Sequence, residues 1–398
     1  MSELFHDFAS IDYPILDADS HVNEPPTLWT ERLPAKFQQR APRVEKRGEG
    51  EIWVFDDGKA HWPVGLTAVA GISVFDWKPM GAVTYASMRP GSFDTKARLV
   101  DMDTDGIYAQ VLYPSVTLTG AKIYSEDREL QTACVRAYNE WLLEFCRDSG
   151  GRLIPLAIIP TTGEADAVAE LEWALANGHR GAILSSFPNG GFDPLPSDDR
   201  FFEIAAQNDF PLSVHIGSFM RRQAQPKGSP ATGSTGAEWT GLQFCGAAAR
   251  SKAGGDTLPV VCDLLFSGIF HRQPKLKLVL VEANIGWIPT LLEQADDMYS
   301  RYRFYTGAVE QQPEMPSQLF RRNFWASFMI DTVGMDLRHR LNVDHMMWST
   351  DYPHSGTDWP NSRVTLERNF KGLPADQVKK MIHDNCRDLY GLDVPAKL

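Results

Sequence analysis

The chain has few cysteines and no arrangement of them that predicts a covalent or metal-bound scaffold. Five of its 398 residues are cysteine, an odd number, and no two of them form a C-x-x-C pair. A reduced protein with buried thiols therefore fits better than a disulfide scaffold or a structural zinc site. Cys134 and Cys146 lie in a segment of helical spacing, where we expect them to pack in the core.

Long apolar runs and an excess of basic residues are also missing. No stretch reaches the roughly 18 apolar residues of a membrane helix, and the first ten residues have neither the basic run nor the apolar core of a secretion signal. Lys and Arg number 39 against 51 Asp and Glu, so the formal net charge is −12, which argues against a nucleic-acid partner. We expect a cytoplasmic protein that acts on a small molecule, with no membrane partner.

Short apolar runs alternate with helical stretches through most of the chain. The first run starts at Tyr13 and ends at about His21, and seven more follow at 108–114, 153–160, 181–187, 211–217, 276–283, 324–330 and 345–353. Such strands are typical of a parallel sheet covered on both faces. Apolar spacing predicts helices near 96–103, 126–146, 164–176, 198–206, 257–271, 285–301, 335–341 and 376–389.

Eight strands alternating with about eight helices predict an α/β fold, a (β/α)₈ TIM barrel, in one domain over residues 1–398. The rival is a doubly wound open sheet, but no strand is followed by a Gly-rich phosphate loop. Residues 22–92 lack periodicity and carry a hairpin signal at 51–58, which predicts an insertion after the first strand. Residues 218–256, rich in Gly, Ala, Ser and Thr, predict a rim loop after the fifth strand.

Aromatic side chains in these two segments have two interpretations. They form a small core for the segments themselves, or they line a pocket for a bulky apolar or aromatic substrate. The candidate substrate-binding residues are Trp77, Phe219 and Trp239, together with Arg221, which could hold a carboxylate through two hydrogen bonds. An arginine in such a loop is more often simply solvated.

Acidic and histidine side chains stand at the ends of four predicted strands. Asp19 and His21, two residues apart, lie on one face of the first strand. The fifth strand ends in His215, the sixth in Glu282 and the eighth in Asp351. Any one of these could be a buried, hydrogen-bonded polar residue, but barrel enzymes keep their chemistry at the carboxyl ends of the strands. We therefore predict a metal site built from all five.

The motifs around these residues resemble the amidohydrolase-related family. This is the branch of the amidohydrolase superfamily that includes aminocarboxymuconate-semialdehyde decarboxylase. The resemblance spans almost the whole chain and rests on these segments: Asp-x-His at 19–21, RLVDMDTDGI at 98–107, QVLYPS at 110–115, PLSVHIG at 211–217, VEANIGWIP at 281–289, WSTDYPH at 348–354 and NCRDLY at 385–390.

The resemblance implies a role for each matching residue. Asp19 and His21 match the ligand pair of the first strand, His215 the ligand of the fifth, and Asp351 the aspartate that holds the metal and handles a proton. Decarboxylases of the family usually have a histidine on the sixth strand, where this chain has Glu282. Ser185 and Ser186 stand where dinuclear relatives carry a carboxylated lysine, so that bridge is absent. The resemblance also implies a homodimer.

These ligands predict a divalent cation that lowers the pKa of a bound water and polarises a carbonyl group. Zinc is favoured, with manganese or iron as alternatives. One ion is favoured over two, although Glu282 could bridge two ions with His354 as a ligand of the second. Asp351 is the expected proton acceptor, and Glu282 or His354 are alternative proton carriers.

The sequence therefore favours a metal-dependent hydrolase of an ester, thioester, amide or lactone of a bulky apolar or aromatic acid. The alternative is a non-oxidative decarboxylase or C–C lyase of an aromatic or muconate-like acid, and the third possibility is a non-catalytic binding barrel.

Overall fold

In the described part of the chain, eight parallel strand positions follow one another in chain order. The computed structural model describes residues 11–78, 82–118, 120–219 and 253–397. Its strands are β1 Leu16–Val22, β2 Arg43–Arg47, β3 Gly50–Phe55, β4 Ala60–Pro63, β5 Ala109–Pro114, β6 Leu153–Pro155, β7 Ala157–Ile158, β8 Ala182–Ile183, β9 Leu212–His215, β10 Leu278–Val281, β11 Phe324–Phe328 and β12 Met346–Trp348.

Hydrogen-bonded pairing links these strands into a closed barrel. β1 pairs with β5 and β5 with β6, while β7 to β12 pair in sequence order, all in parallel. Only Leu156 separates β6 from β7. Just beyond β12, the Asp351 amide donates to the Asp19 carbonyl at 2.9 Å, and the His21 amide donates to the Tyr352 carbonyl at 2.6 Å. The predicted TIM-barrel fold is confirmed, with its third strand broken in two.

Helices connect the barrel strands. The α-helices of the described residues are Leu28–Arg32, Thr95–Asp105, Arg128–Arg147, Glu164–Asn177, Asp199–Gln207, Ala253–Phe266, Ile269–Arg272, Ile288–Tyr302, Ala308–Gln311, Pro316–Asn323, Thr332–Leu337, Ser362–Phe370, Ala375–Lys379 and Asn385–Tyr390, with a π-helical turn at Lys380–Asp384. Asp94 caps the second helix by accepting from the Ala97 amide, and Gly106 ends it at φ +75°, a conformation that glycine adopts without strain.

β10 shows why the apolar runs form buried strands. Leu278 and Leu280 pack in one apolar cluster with residues of the outer helices, including Leu264. Val279 and Val281 pack in a second cluster with residues of other barrel strands. Alternate side chains of a strand point to opposite faces, so a strand that is apolar at every position is buried on both.

The segment after β1 forms a small antiparallel sheet, β2–β3–β4, whose β3–β4 turn lies at Asp56–Gly58. The Trp53 ring of β3 packs edge-to-face on Trp29 at 5.2 Å. The same segment reaches the rim of the barrel, because the amides of Val69 and Ala70 both donate to the Pro353 carbonyl. The proposed limits of the two insertions, 22–92 and 218–256, stay predictions; most of the second lies outside the described residues.

Within the described ranges, no helix combines the length and apolar character needed to cross a lipid bilayer.

Candidate metal centre

The predicted ligand residues converge at the carboxyl ends of the barrel strands. The Nε2 atoms of His21 and His215 lie 3.2 Å apart, and each lies 3.5 Å from Asp19 Oδ1. Asp351 Oδ1 is 3.3 Å from His21 Nε2, and Glu282 Oε2 is 3.7 Å from His215 Nε2. Strands far apart in sequence thus bring together two groups of side chains that could hold a metal ion, Asp19, His21, His215 and Glu282 in one and His21, Asp351 and His354 in the other.

A bulge in β1 lies directly at this place. The pairing of β1 with β5 shifts register between Asp17 and Ser20, so three steps along β1 oppose two along β5. An extra residue of this kind bends a strand and redirects its side chains. The shift falls at Ala18 and Asp19, so the bulge contributes to the direction in which the Asp19 carboxylate points.

Both histidines have their Nε2 lone pairs directed at the centre. His21 Nδ1 lies 3.0 Å from the Pro114 carbonyl, and His215 Nδ1 lies 3.0 Å from the Ile216 carbonyl. A carbonyl oxygen only accepts, so each Nδ1 carries the proton and each neutral Nε2 is an acceptor. Two acceptors 3.2 Å apart repel each other unless a cation lies between them. The same carbonyl-anchored tautomer is usual for metal-bound histidine.

The environment of Asp19 shows whether this set of donor atoms suits a cation. Its side chain is fully buried, and within the described part of the chain neither carboxylate oxygen has a hydrogen-bond partner. Burial raises the pKa of Asp19 well above its usual range, and the neighbouring Asp351 and Asp17 raise it further, against a lowering contribution from His21. Two nitrogen ligands about 2.05 Å from a shared zinc ion stand about 3.3 Å apart at a tetrahedral angle. The spacing and chemistry of the donor set therefore fit a divalent cation.

Asp351 and Glu282 reach the centre from strained backbone positions. Asp351 has φ +55° and Glu282 has φ +56°, a region that non-glycine residues rarely occupy. The Asp351 carboxylate also needs open space beside it, because a Cβ on Gly356 would lie 2.5 Å from Asp351 Oδ2. Despite burial, which raises it, the pKa of Asp351 falls below its usual range because His354 and His21 face the carboxylate.

His354 lies beside the cluster and links it to a third strand. Its Nδ1 is 3.1 Å from Asp351 Oδ1, and its ring stacks on His21 with centroids 3.7 Å apart. Its Nε2 lies 3.1 Å from Ser115 Oγ, at the end of β5. The structure therefore places His354 at the edge of the centre, where the sequence predicted a proton carrier or a second-ion ligand.

A buried polar network behind the ligands was not found from the sequence. Asp17 accepts hydrogen bonds from the amides of Asp19 and Thr350, from Thr350 Oγ1 and from Gln110, and burial raises its pKa to about 7. The fully buried Arg98 donates to the His21 carbonyl at 2.6 Å and to Ser20 Oγ at 2.5 Å. The Asp17 bonds join β1 to the segment that follows β12, and the Arg98 bonds join β1 to the helix Thr95–Asp105. Arg98 lies in a matched motif, which was the only available signal.

Two of the four predicted substrate-binding residues, Trp77 and Phe219, lie in the described part of the chain. The Trp77 indole N–H donates to the Ile72 carbonyl at 3.1 Å. The Phe219 ring packs edge-to-face on Phe187 at 5.0 Å. Among the aromatic contacts of the described residues, neither ring meets His21, His215 or His354. Arg221 and Trp239 lie outside the described residues, so their assignment stays a prediction.

Comparison with known proteins agrees with the fold. A family model described as amidohydrolase matches residues 18–392. An amidohydrolase from Mycobacterium avium subsp. paratuberculosis K-10 is 22% identical, with a TM-score of 0.72 over 96% of this chain and 100% of that chain. No curated protein matches by sequence.

Two solved decarboxylases are similar over nearly the full length. The 5-carboxyvanillate decarboxylase of Sphingomonas paucimobilis is 19% identical, with a TM-score of 0.63 over 96% of this chain and 100% of that one. The dihydroxybenzoic acid decarboxylase of Polaromonas sp. JS666, solved with bound manganese, is 16% identical, with a TM-score of 0.61 over 95% and 97%. At these identities the likeness establishes the shared fold.

Proposed function

The chain belongs to the amidohydrolase family, and on that premise we propose that it is a metal-dependent, non-oxidative decarboxylase of an aromatic acid. The observation that carries the proposal is the convergence of Asp19, His21, His215 and Asp351 at the carboxyl ends of the strands, on a fold shared with aromatic-acid decarboxylases. The sequence alone favoured a hydrolase, with a decarboxylase as the alternative. The similar structures support the decarboxylase better.

Asp19, His21, His215 and Asp351 would hold the ion, and Glu282 is within reach as a fifth ligand. A divalent ion at this site would bind and polarise oxygen atoms of the acid. Two imidazoles and two or three carboxylates are a mixed set that suits manganese as well as zinc. Manganese is bound in two of the similar decarboxylases, so it is the first ion to test.

Decarboxylation requires one bond to break and one proton to be supplied. The bond between the ring carbon and the carboxylate carbon breaks, CO₂ leaves, and the electron pair left on the ring carbon takes a proton. Asp351 and His354 are the groups placed to hold that proton, because His354 Nδ1 and Asp351 Oδ1 lie 3.1 Å apart at the edge of the ligand cluster. The ring carbon must be basic enough to accept it, which favours acids with an electron-donating hydroxyl on the ring.

Hydrolysis is the second candidate because of one specific residue. Glu282 stands where decarboxylases of the resembled branch usually have histidine, and its carboxylate lies 3.7 Å from His215 Nε2. A carboxylate there could take a proton from an attacking water, a role that the proposed decarboxylation does not need. Glu282 therefore accepts a proton from water in the hydrolase, whereas the decarboxylase does not need it for that step.

The test compares the two reactions on one preparation. Protein reconstituted with manganese or with zinc is incubated with 2,6-dihydroxybenzoate and 5-carboxyvanillate, and released CO₂ is measured. The same protein is assayed with aryl esters, lactones and amides. We expect CO₂ release that depends on the metal and disappears in Asp351→Asn.

A control variant separates loss of chemistry from loss of fold. Asp376→Asn changes an exposed aspartate and should leave both assays unchanged. Metal-dependent acyl hydrolysis by the wild type, without CO₂ release from any acid and with activity lost in Glu282→Gln, would overturn the decarboxylase proposal and support the second candidate.

A further inference from the structure

We infer that Asp331 is a positioning residue of this centre, which holds the loop of residues 282–287 in place and, through it, the carboxylate of Glu282. The inference rests on the proposed function, in which Glu282 is within reach of the ion as a fifth ligand. Asp331 follows β11, the strand that pairs with β10 in the barrel. None of the predicted ligands lies on β11, so this strand would contribute to the centre through the loop that it supports.

The Asp331 carboxylate joins two segments of the barrel rim through three backbone amides. Its Oδ2 accepts from the amides of Ile285 and Gly286, at 2.6 and 2.7 Å. Its Oδ1 accepts from the Gly334 amide, at 2.7 Å. Asp331 is itself held, because its own amide donates to Asn369 Oδ1 at 3.0 Å. Bonds from N–H groups to a charged carboxylate are stronger than those between neutral groups, so the loop is fastened firmly at this point.

The loop needs such a support because of its backbone conformation. Glu282 and Asn284 have φ +56° and +55°, and non-glycine residues keep such angles only where the surrounding structure imposes them. On one side of this pair, the Glu282 amide donates to Ser327 Oγ of β11 at 3.1 Å. The bonds to Asp331 lie on the other side. Both strained residues therefore lie between contacts supplied by β11 and the segment that follows it.

Trp287 braces the loop internally but does not fix its position. Its indole N–H lies 2.8 Å from the Ala283 carbonyl and 3.1 Å from the Asn284 carbonyl. These bonds stay within the loop, so they preserve its shape even if the loop moves as a unit. The distance of 3.7 Å between Glu282 Oε2 and His215 Nε2 depends instead on the contacts that tie the loop to the neighbouring segment.

Gly286 shows how closely the carboxylate approaches the loop. A Cβ atom at this position would lie 2.8 Å from Asp331 Oδ1 and 3.2 Å from the Gly334 nitrogen. Contacts this short in a close-packed region require the carboxylate or the loop to shift. Gly286→Ala is therefore an independent way to disturb the same contact while the carboxylate of Asp331 is kept.

The simpler interpretation is that Asp331 only caps the helix Thr332–Leu337. It directly precedes that helix, and the bond from the Gly334 amide is an ordinary N-cap contact. A cap does not account for the two further bonds from the loop, which belongs to another segment. The interpretations differ in their consequence for metal binding, because a cap affects stability alone, whereas a support of the loop also affects Glu282.

Asp331→Asn should weaken metal binding through Glu282. An asparagine side chain has one acceptor oxygen and one N–H₂ donor, so at least one of the three backbone N–H groups would face a donor. Outer partners of metal ligands typically change affinity by about 10–100-fold, and we expect the dissociation constant for Mn²⁺ to rise about 10-fold. In Glu282→Gln, where the carboxylate is already absent, the same change at Asp331 should have almost no further effect.

The measurement is a double-mutant cycle that needs no substrate. Chelator-treated wild type, Asp331→Asn, Glu282→Gln and the double variant are titrated with Mn²⁺, and free Mn²⁺ is quantified by electron paramagnetic resonance. Thermal unfolding of each metal-free protein is recorded beside it. We expect Gly286→Ala to repeat the weakened binding, and this variant takes the place of Asp331→Asn in the cycle if Asp331→Asn does not fold.

Asp94→Asn is the matched control. Asp94 also precedes a helix and accepts a bond from a backbone amide, that of Ala97, but its helix, Thr95–Asp105, carries none of the predicted ligands. We expect an unchanged Mn²⁺ affinity with a lower Tm. If Asp94→Asn weakens Mn²⁺ binding as much as Asp331→Asn does, loss of a helix cap is sufficient to explain the effect and the inference is overturned.

The outcomes separate this inference from the proposed function. Unchanged Mn²⁺ affinity in Asp331→Asn, or in Gly286→Ala in its place, overturns the positioning role even if the protein releases CO₂ from aromatic acids. An equal loss of affinity with and without the Glu282 carboxylate also overturns it, since Asp331 would then act elsewhere. A loss that depends on Glu282 supports the inference, and if no aromatic acid is decarboxylated, only the proposed function fails.

Discussion

Asp19→Asn should stabilise the metal-free protein and remove its stabilisation by metal. The Asp19 carboxylate is fully buried, and no described residue donates a hydrogen bond to it. The Nε2 atoms of His21 and His215, both acceptors, lie 3.5 Å from its Oδ1. An asparagine in its place carries no charge and offers an N–H₂ group to those nitrogens. The same change takes a negatively charged ligand from the ion.

The magnitudes follow from burial and from mass action. One buried charged group without a partner costs about 1–3 kcal/mol or more, so the metal-free variant should gain about that much. For the wild type, a free metal concentration of about 100 times Kd adds about 2.7 kcal/mol. With an unfolding entropy of about 2.1 cal/mol/K per residue, the 398 residues give about 0.8 kcal/mol/K, so this gain corresponds to about 3 °C in Tm.

The assay is thermal unfolding of chelator-treated and manganese- or zinc-loaded protein. We expect chelation to lower the wild-type Tm by about 3 °C, and Asp19→Asn to melt above metal-free wild type with almost no response to metal. Asp376→Asn, an exposed site, is the matched control. A metal-free Asp19→Asn that is less stable than metal-free wild type, with its response to metal intact, would refute the assignment of Asp19 as a ligand.

Three further predictions concern the site, the rim and the core. His215→Ala should abolish the metal-dependent reaction with little change in far-UV circular dichroism, and full activity would remove His215 from the centre. Burial raises the pKa of Glu24 to about 8, so the folded protein keeps a proton that the unfolded chain loses above about pH 4.5, and stability should fall by up to about 1.4 kcal/mol per unit as pH rises toward 8. Glu24→Gln should flatten this fall in urea unfolding between about pH 5 and 8, and an unchanged slope would contradict the raised pKa. Leu280→Ala, in the fully buried β10, should cost about 2–5 kcal/mol in the same assay, and a cost below about 1 kcal/mol would contradict its close packing.

The barrel could be predicted because its strands carry the signal in their own residues. The four residues that became β10, Leu278–Val281, are all apolar, as a strand covered on both faces requires. The break at Leu156 could not be predicted, because the two pieces β6 and β7 belong to one continuous apolar run. Pro316–Asn323 and Ser362–Phe370 were missed as helices. The first is short, and the second has a weak apolar pattern that its neighbours complete in three dimensions.

The candidate ligands could be predicted for a related reason. An acidic or histidine side chain at the end of an apolar strand is unfavourable among apolar neighbours, and this contrast can be seen in the sequence alone. Ser115 and Arg98 carry no such signal, because serine and arginine are ordinary in a loop or a helix. Their contacts at the centre are with partners that are 239 and 77 residues away, His354 and the His21 carbonyl. Contacts of that range follow only from the closed barrel.

Glu282 and Asp351 follow the ends of β10 and β12, and their backbone conformation directs their carboxylates toward the centre. Both residues adopt positive φ, +56° and +55°, at a cost of about 1 kcal/mol or more for each. Each conformation is held by a bond from its own amide: Glu282 N–H donates to Ser327 Oγ at 3.1 Å, and Asp351 N–H donates to the Asp19 carbonyl at 2.9 Å. The second bond also closes the barrel. The strain that directs Asp351 toward His21 is therefore offset by the same contact that joins the last strand to the first, which ties the geometry of the centre to closure of the fold.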